Sequence, residues 1–242
     1  MWYKLKRILI YPDGVTEKQV YPKYEWKPDA SRTLLYLPLE SNATDYSWNS
    51  ISTTPSNVTY ASLGWVMCAN ANGSSSKIQL SNISFLPSDA TGWTISFLIY
   101  WTSRTVWSTY RKALEFASSN AYIWAYYNTW NNGIWCNWFN NDGYITDSDA
   151  TLNSWHLITF TFDSTNCYAY FDGVFKFWWS RYSSNPIWWK TPDVTWFYIF
   201  CNRGWNTNRW SWWGRELIIE KVKRSAEDVS KYYQRIKAKL WF

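Results

Sequence analysis

The chain has 242 residues, 47% hydrophobic and 17% charged, a balance that builds a core and excludes compositional disorder. One His excludes a multi-histidine metal centre, and no apolar run reaches the roughly 18 residues of a transmembrane helix. The net charge of +6 is uneven: residues 1–33 carry seven basic against four acidic groups, 34–213 nine against ten, and 214–242 eight against four, so the aromatic-rich centre lacks the positive charge of a nucleic-acid groove.

Taken in chain order, the first stretch has Lys4, Lys6 and Arg7 but only four apolar residues, Ile8 to Tyr11, before Pro12. A secretory signal needs a longer apolar region of about 7–15 residues, so none is expected. Pro12-Asp13-Gly14 separates two short β-like runs, and Pro22 and Pro28 oppose a helix. Residues 1–32 therefore read as a strand or hairpin arm. From 33 to 222 short alternating runs follow one another between Gly, Asn, Ser, Asp and Pro. Leu35, Leu37 and Leu39 alternate, as do Trp93, Ile95, Phe97, Ile99 and Trp101, and Ile158, Phe160 and Phe162. A period of two means strands with a buried face. Further runs lie near 63–68, 77–85, 112–117, 121–127, 133–139, 167–171, 173–178, 194–201 and 215–222. A dozen strands without intervening helices predict an all-β sandwich or jelly roll. A helix over about 225–239 closes the chain: Ser225 caps it, Glu227 and Asp228 fill its first turn, and Val229, Tyr232, Tyr233 and Ile236 form an apolar stripe. Cys68, Cys136, Cys167 and Cys201 include no Cys-x-x-Cys pair and read as buried reduced thiols, with one disulfide as the alternative.

Three stretches resemble one family. Leu35-Tyr-Leu-Pro-Leu-Glu-Ser-Asn-Ala-Thr-Asp-Tyr-Ser-Trp-Asn49 is similar to the opening strand and turn of laminin G-like, or concanavalin A-like, jelly-roll domains. Trp155-His-Leu-Ile-Thr-Phe-Thr-Phe-Asp163 with Tyr168-Ala-Tyr-Phe-Asp-Gly173 resembles their Trp-His strand and Asp-Gly hairpin. Gly214-Arg-Glu-Leu-Ile-Ile-Glu220 with Arg224-Ser-Ala-Glu-Asp-Val229 resembles their closing strand and helix start, and Thr94-Ile-Ser-Phe97 adds a weaker match. The resemblance covers about residues 33–234 and implies one concanavalin A-like sandwich over 33–242, preceded by the arm. The lead-in Ile-Tyr-Pro-Asp-Gly-Val with Lys-Gln-Val-Tyr-Pro looks like bacteriophage and bacterial surface proteins that carry such domains. The chain departs from the pattern at glycine slots, where Trp48, Trp178 or Trp179, Trp213 and Trp241 stand. Such slots often take a positive φ that a bulky residue tolerates poorly. Two readings stay open: a UGA codon decoded as Gly in the source and written here as Trp, or a protein that uses Trp for binding or interlocking contacts.

Glucanases of the concanavalin A-like fold carry clustered carboxylates on one strand, which sets the nucleophile beside the acid. The nearest approach here, Glu216-Leu-Ile-Ile-Glu220, has an apolar middle and lies on the closing strand. Asp147 and Asp149 fit a turn, His156 fits a framework histidine, and no nucleophile elbow occurs. The expectation is therefore a protein that is not an enzyme. Many relatives bind one Ca2+ near the opening turn, and by position Asn42, Asp45 and Glu216 are the side chains to test, with an Asx-type turn as the alternative for Asn42 and Asp45.

Sugars stack on aromatic faces, and their hydroxyls hydrogen-bond with Asn, Asp and Arg side chains. The loops rich in both point to Tyr127, Trp130, Asn132, Trp138, Asn140, Asp142, Trp205 and Arg209 as candidate glycan-binding residues. The resulting expectation is a non-catalytic extracellular or virion surface protein that binds carbohydrate or a cell-envelope glycan. It has no nucleic-acid partner and no membrane insertion, and it is a homo-oligomer or the neighbour of another surface protein. The alternatives are a structural virion or fibre subunit whose arm adds a strand to its neighbour, and, third, a glycoside hydrolase.

Overall fold

A computed structural model describes residues 28–72, 76–80, 92–102, 111–118, 121–128, 133–138, 141–146, 151–163, 166–180, 196–200 and 211–240; over 115–146 the account is of backbone pairing. Fifteen strands and one helix occur among these residues: β1 Thr33–Leu37, β2 Thr53–Ser56, β3 Val58–Leu63, β4 Val66–Asn72, β5 Lys77–Leu80, β6 Trp93–Trp101, β7 Arg111–Ser118, β8 Ala121–Asn128, β9 Gly133–Trp138, β10 Asn141–Thr146, β11 Trp155–Phe162, β12 Asn166–Phe171, β13 Val174–Ser180, β14 Trp196–Ile199, β15 Ser211–Glu220 and α1 Ala226–Leu240.

The strands form two antiparallel sheets. One runs β13-β12-β11-β6-β15-β4-β3, with β1 also on β15; the other runs β10-β9-β8-β7-β14-β5-β2. Alternation explains the sandwich. Ile95, Phe97 and Ile99 of β6, Ile158, Phe160 and Phe162 of β11, and Leu217 and Ile219 of β15 turn one way into a core shared with Ile78, Leu80, Phe197 and Ile199 of the second sheet. The other face of the first sheet is also apolar: Leu98, Leu157 and Ile218 meet Tyr232, Ile236 and Leu240 of α1. With both faces covered, all eight residues of β11 are buried. The helix begins where its cap predicts, with the Asp228 amide donating to the Ser225 hydroxyl at 3.1 Å. Its stripe is the predicted one, extended by Leu240.

The all-β sandwich and the closing helix follow the sequence reading. Several details differ. The run near 63–68 is not one strand but the tip of the β3–β4 hairpin, because Gly64, at φ 62°, supplies the turn. β2 and β10 were not expected. Among the described residues the left-handed backbone falls on Leu39, Ser50, Asn57, Asn153, Asp172, Phe200 and Glu216 as well as Gly64 and Gly173, and on no Trp. At Trp48 the turn places its positive φ two residues on, at Ser50, and near Trp213 the β15 bulge places it at Glu216. Trp48, Trp178, Trp179 and Trp213 stand at glycine slots of the family pattern without taking a positive φ; Trp241 lies outside the described residues. Cys68 and Cys167 are buried free thiols, and burial pushes the Cys68 thiol up to about 11. The side chain of Cys136 and all of Cys201, like arm residues 1–27, lie outside the description.

Candidate functional site

His156 fits a framework residue by sequence, and its surroundings explain that role. Leu157 N–H donates to Asp172 Oδ1 at 2.9 Å, while His156 Nδ1 meets Asp172 Oδ2 at 2.7 Å. Asp172 and Gly173 are consecutive positive-φ residues of the tight β12–β13 turn, so the histidine pins that turn to β11. The other ring nitrogen lies 2.9 Å from the Thr151 carbonyl and 3.2 Å from the Thr151 hydroxyl. The trio has the outline of a hydroxyl–His–Asp relay, with the Thr151 carbonyl nearer to Nε2 than the Thr151 hydroxyl is.

The acidic candidates lie in two hydrogen-bond networks that meet at Tyr36. Asp45 accepts the backbone N–H groups of Tyr36 at 3.0 Å, Ser47 at 2.8 Å and Ile51 at 2.9 Å, with the Ser47 hydroxyl at 2.7 Å. Asn42 accepts the Thr44 N–H at 2.8 Å in an Asx turn. Glu216, fully buried in the bulge of β15, accepts the Tyr36 hydroxyl at 2.8 Å and Lys239 of α1 at 2.6 Å. Burial, then the Glu216 charge, pushes the Tyr36 phenol up. The oxygens of Asp45 and Glu216 are turned to amides, a phenol and an ammonium, and among the described residues no three His, Cys, Asp or Glu side chains gather as metal ligands. This arrangement does not fit a Ca2+ cage, which needs six to eight oxygens on one point. Glu220 is equally buried and pairs with Arg224 and, at 3.1 Å, with Arg32. Glu216 therefore braces α1 through Lys239, and Glu220 braces the segment that leads into it through Arg224. Asp147 and Asp149 lie outside the described residues.

Of the candidate glycan residues, Trp130, Asn132, Asn140, Trp205 and Arg209 lie outside the described residues. The backbone of Tyr127, Trp138 and Asp142 is described. Tyr127 pairs with Ile134, Trp138 pairs with Ile123 and Asn141, and Asp142 pairs with Asn137. Tyr127 and Trp138 are thus four positions apart along β9, about 14 Å, so the register sets them at opposite ends of the hairpin.

The fold leaves several large side chains in solvent; sequence reasoning singled out Trp48 and Trp178 among them, as occupants of glycine slots, and did not mark Trp65 or Tyr46. Trp65 is 98% exposed, Trp48 59%, Trp178 58% and Tyr46 54%, with Phe175 and Val174 also outside. The available signal for Trp65 was its place after Gly64 between two alternating runs, the position of a hairpin tip.

No protein-family model matches the chain, and no curated protein does. Solved structures do. The receptor-binding domain of the botulinum neurotoxin C/D mosaic serotype superposes with a TM-score of 0.69 at 15% identity, over 86% of this chain and 52% of that one. The binding domain of botulinum neurotoxin DC in complex with rat synaptotagmin II gives 0.66 at 15%, over 86% and 52%. The serotype G binding domain gives 0.65 at 16%, over 85% and 51%. The chain spans about half the length of these structures, and at such identity the likeness is one of fold.

Proposed function

We propose that the chain is a laminin G-like jelly-roll domain with a non-catalytic recognition role, binding carbohydrate of a cell envelope from an extracellular or virion surface. The observation that carries this reading is the set of large aromatic side chains held in solvent, Trp48, Trp65, Trp178 and Tyr46. Exposed aromatics carry a hydration cost that a stacked partner removes. The similar neurotoxin domains are receptor-binding domains, which supports recognition rather than turnover, although a sandwich of this type hosts many functions. The ion pairs on Glu216 and Glu220 support the same side, because neither carboxylate is left facing solvent for acid–base work.

The test is a glycan-array screen of the purified, folded chain in Ca2+ and again in EDTA. Reproducible binding in both buffers is expected, since the Asp45 and Glu216 oxygens already have protein partners. An array blank in both buffers overturns the reading and favours a structural assembly subunit, which sedimentation at rising concentration then checks.

A further inference from the structure

The loop that joins β1 to β2 carries two exposed aromatic rings on a fixed frame. Along residues 43–48 burial alternates. Ala43 and Ser47 are buried, and the Asp45 carboxylate is turned inward to the Tyr36, Ser47 and Ile51 amides. Thr44, Tyr46 and Trp48 are exposed. By that alternation the Tyr46 and Trp48 rings leave the loop on one outer side.

Backbone ties lie on both sides of the rings. Tyr46 N–H donates to the Tyr36 carbonyl at 2.8 Å. Asn49 Nδ2 donates to the Thr33 and Leu34 carbonyls at 3.1 Å and 2.9 Å, and Asp45 accepts Ile51 N–H at 2.9 Å. The loop is thus laced to β1, and a frame set in advance lowers the ordering cost of binding.

The surroundings of the rings are polar but uncharged. Thr44, Asn49 and Ser50 are exposed beside them. The Thr44 and Ser50 hydroxyls and Asn49 Oδ1 have no hydrogen-bond partner among the described residues. Residues 41–54 hold no Lys or Arg and one carboxylate, Asp45, whose oxygens are occupied by three amides and a hydroxyl. Glu40, next in sequence, pairs with Arg215. A pyranose has the complementary pattern: C–H faces that lie on an aromatic ring, and a rim of hydroxyls that give and accept hydrogen bonds. A protein partner fits less well. A stable interface covers about 800 Å² per side around an apolar centre, whereas the aliphatic residues of this loop, Leu39, Ala43 and Ile51, are packed into the core.

We infer that the Tyr46–Trp48 loop is a binding site for an uncharged pyranose, stacked on the two rings. The inference rests on the recognition reading above and gives it a site and a ligand class. The experiment is an array of neutral, carboxylated and sulfated oligosaccharides, with each hit then titrated by calorimetry. It is read with the wild type and with Tyr46→Ala, Trp48→Gly, Trp48→Phe and Trp178→Ala, each first shown to melt like the wild type. Wild-type hits are expected among neutral glycans and should persist in about 1 M NaCl, which screens charges beyond about 3 Å. Tyr46→Ala and Trp48→Gly should each lose about tenfold in affinity, near 1.4 kcal/mol. Trp48→Phe keeps a flat ring and should retain most of the binding, and Trp178→Ala all of it. If the wild type binds glycans and neither Tyr46→Ala nor Trp48→Gly weakens it, the site is overturned while recognition stands. Equal losses in Trp48→Phe and Trp48→Gly overturn the stacking. Hits confined to charged glycans and abolished by salt overturn the uncharged class, and a blank array overturns both the site and the recognition reading.

Discussion

Replacing Asp45 by Ala tests whether this carboxylate is a structural acceptor. The substitution removes the partner of three backbone amides, those of Tyr36, Ser47 and Ile51, and of one hydroxyl. These bonds hold the 42–51 loop against the outer edge of β1. A lost hydrogen bond of a partly buried group costs about 1 kcal/mol once water partly replaces it. Three amides and a hydroxyl therefore give about 3–4 kcal/mol. In a domain of this size each kcal/mol moves Tm by about 2–4 °C, so the Ala variant should melt about 10 °C lower. Asp45→Asn keeps one carbonyl-type oxygen for the Tyr36 and Ser47 amides and should lose only about 1 kcal/mol. The assay is urea and thermal unfolding followed by circular dichroism, with Ca2+ and with EDTA. An Ala variant within about 1 kcal/mol of the wild type refutes the reasoning. So does a wild type that EDTA alone destabilises as much as the substitution, because Asp45 would then be acting through a metal.

Three further outcomes are expected. Gly214→Ala puts a Cβ within 2.5 Å of Phe200 and 2.7 Å of Phe97, both nearly inaccessible, and should cost about 1–3 kcal/mol by overpacking; an unchanged urea midpoint would contradict that close approach. The Ser225 hydroxyl holds the Asp228 carboxyl below its ordinary value of 3.8. Its contribution to the helix start is therefore present above that value and lost as pH falls through the lower folded one. A Ser225→Ala variant should show less acid-dependent loss of helical dichroism than the wild type, and equal loss would count against the cap. Intact mass of protein from its native source should match 22 Trp; a deficit in whole Trp-to-Gly steps would instead establish the recoded codon.

What could be read from sequence was what depends on near neighbours. Ser225, the two acids after it and the 229–236 stripe fix α1 within one stretch of chain, so cap, start and buried face were all legible. The Trp155–Phe162 strand and the Asp172-Gly173 turn were legible for the same reason. The exposure of both Phe175 and Trp178 was not, because it depends on a one-residue slip between β12 and β13 that alternation alone cannot register. The left-handed residues were illegible for a similar cause. Glu216 takes its positive φ from a bulge against β6, set by strands more than 100 positions earlier, and not from a local turn. The polar braces likewise join distant residues, as in Tyr36 with Glu216.

The strand that pairs with β6, β4 and β1 is β15, the last of the described strands. A chain emerging from the ribosome must therefore carry three strands of its first sheet with open edges until residues 211–220 arrive. Pairing of Thr33 with Glu220 closes a loop of nearly the whole domain, and contacts of such separation fold slowly. Until then the Phe- and Ile-rich face of β6 lies open to other chains. For this molecule the hazardous interval is synthesis, because a nascent chain stalled before residue 211 lacks the strand that pairs with β1, β4 and β6.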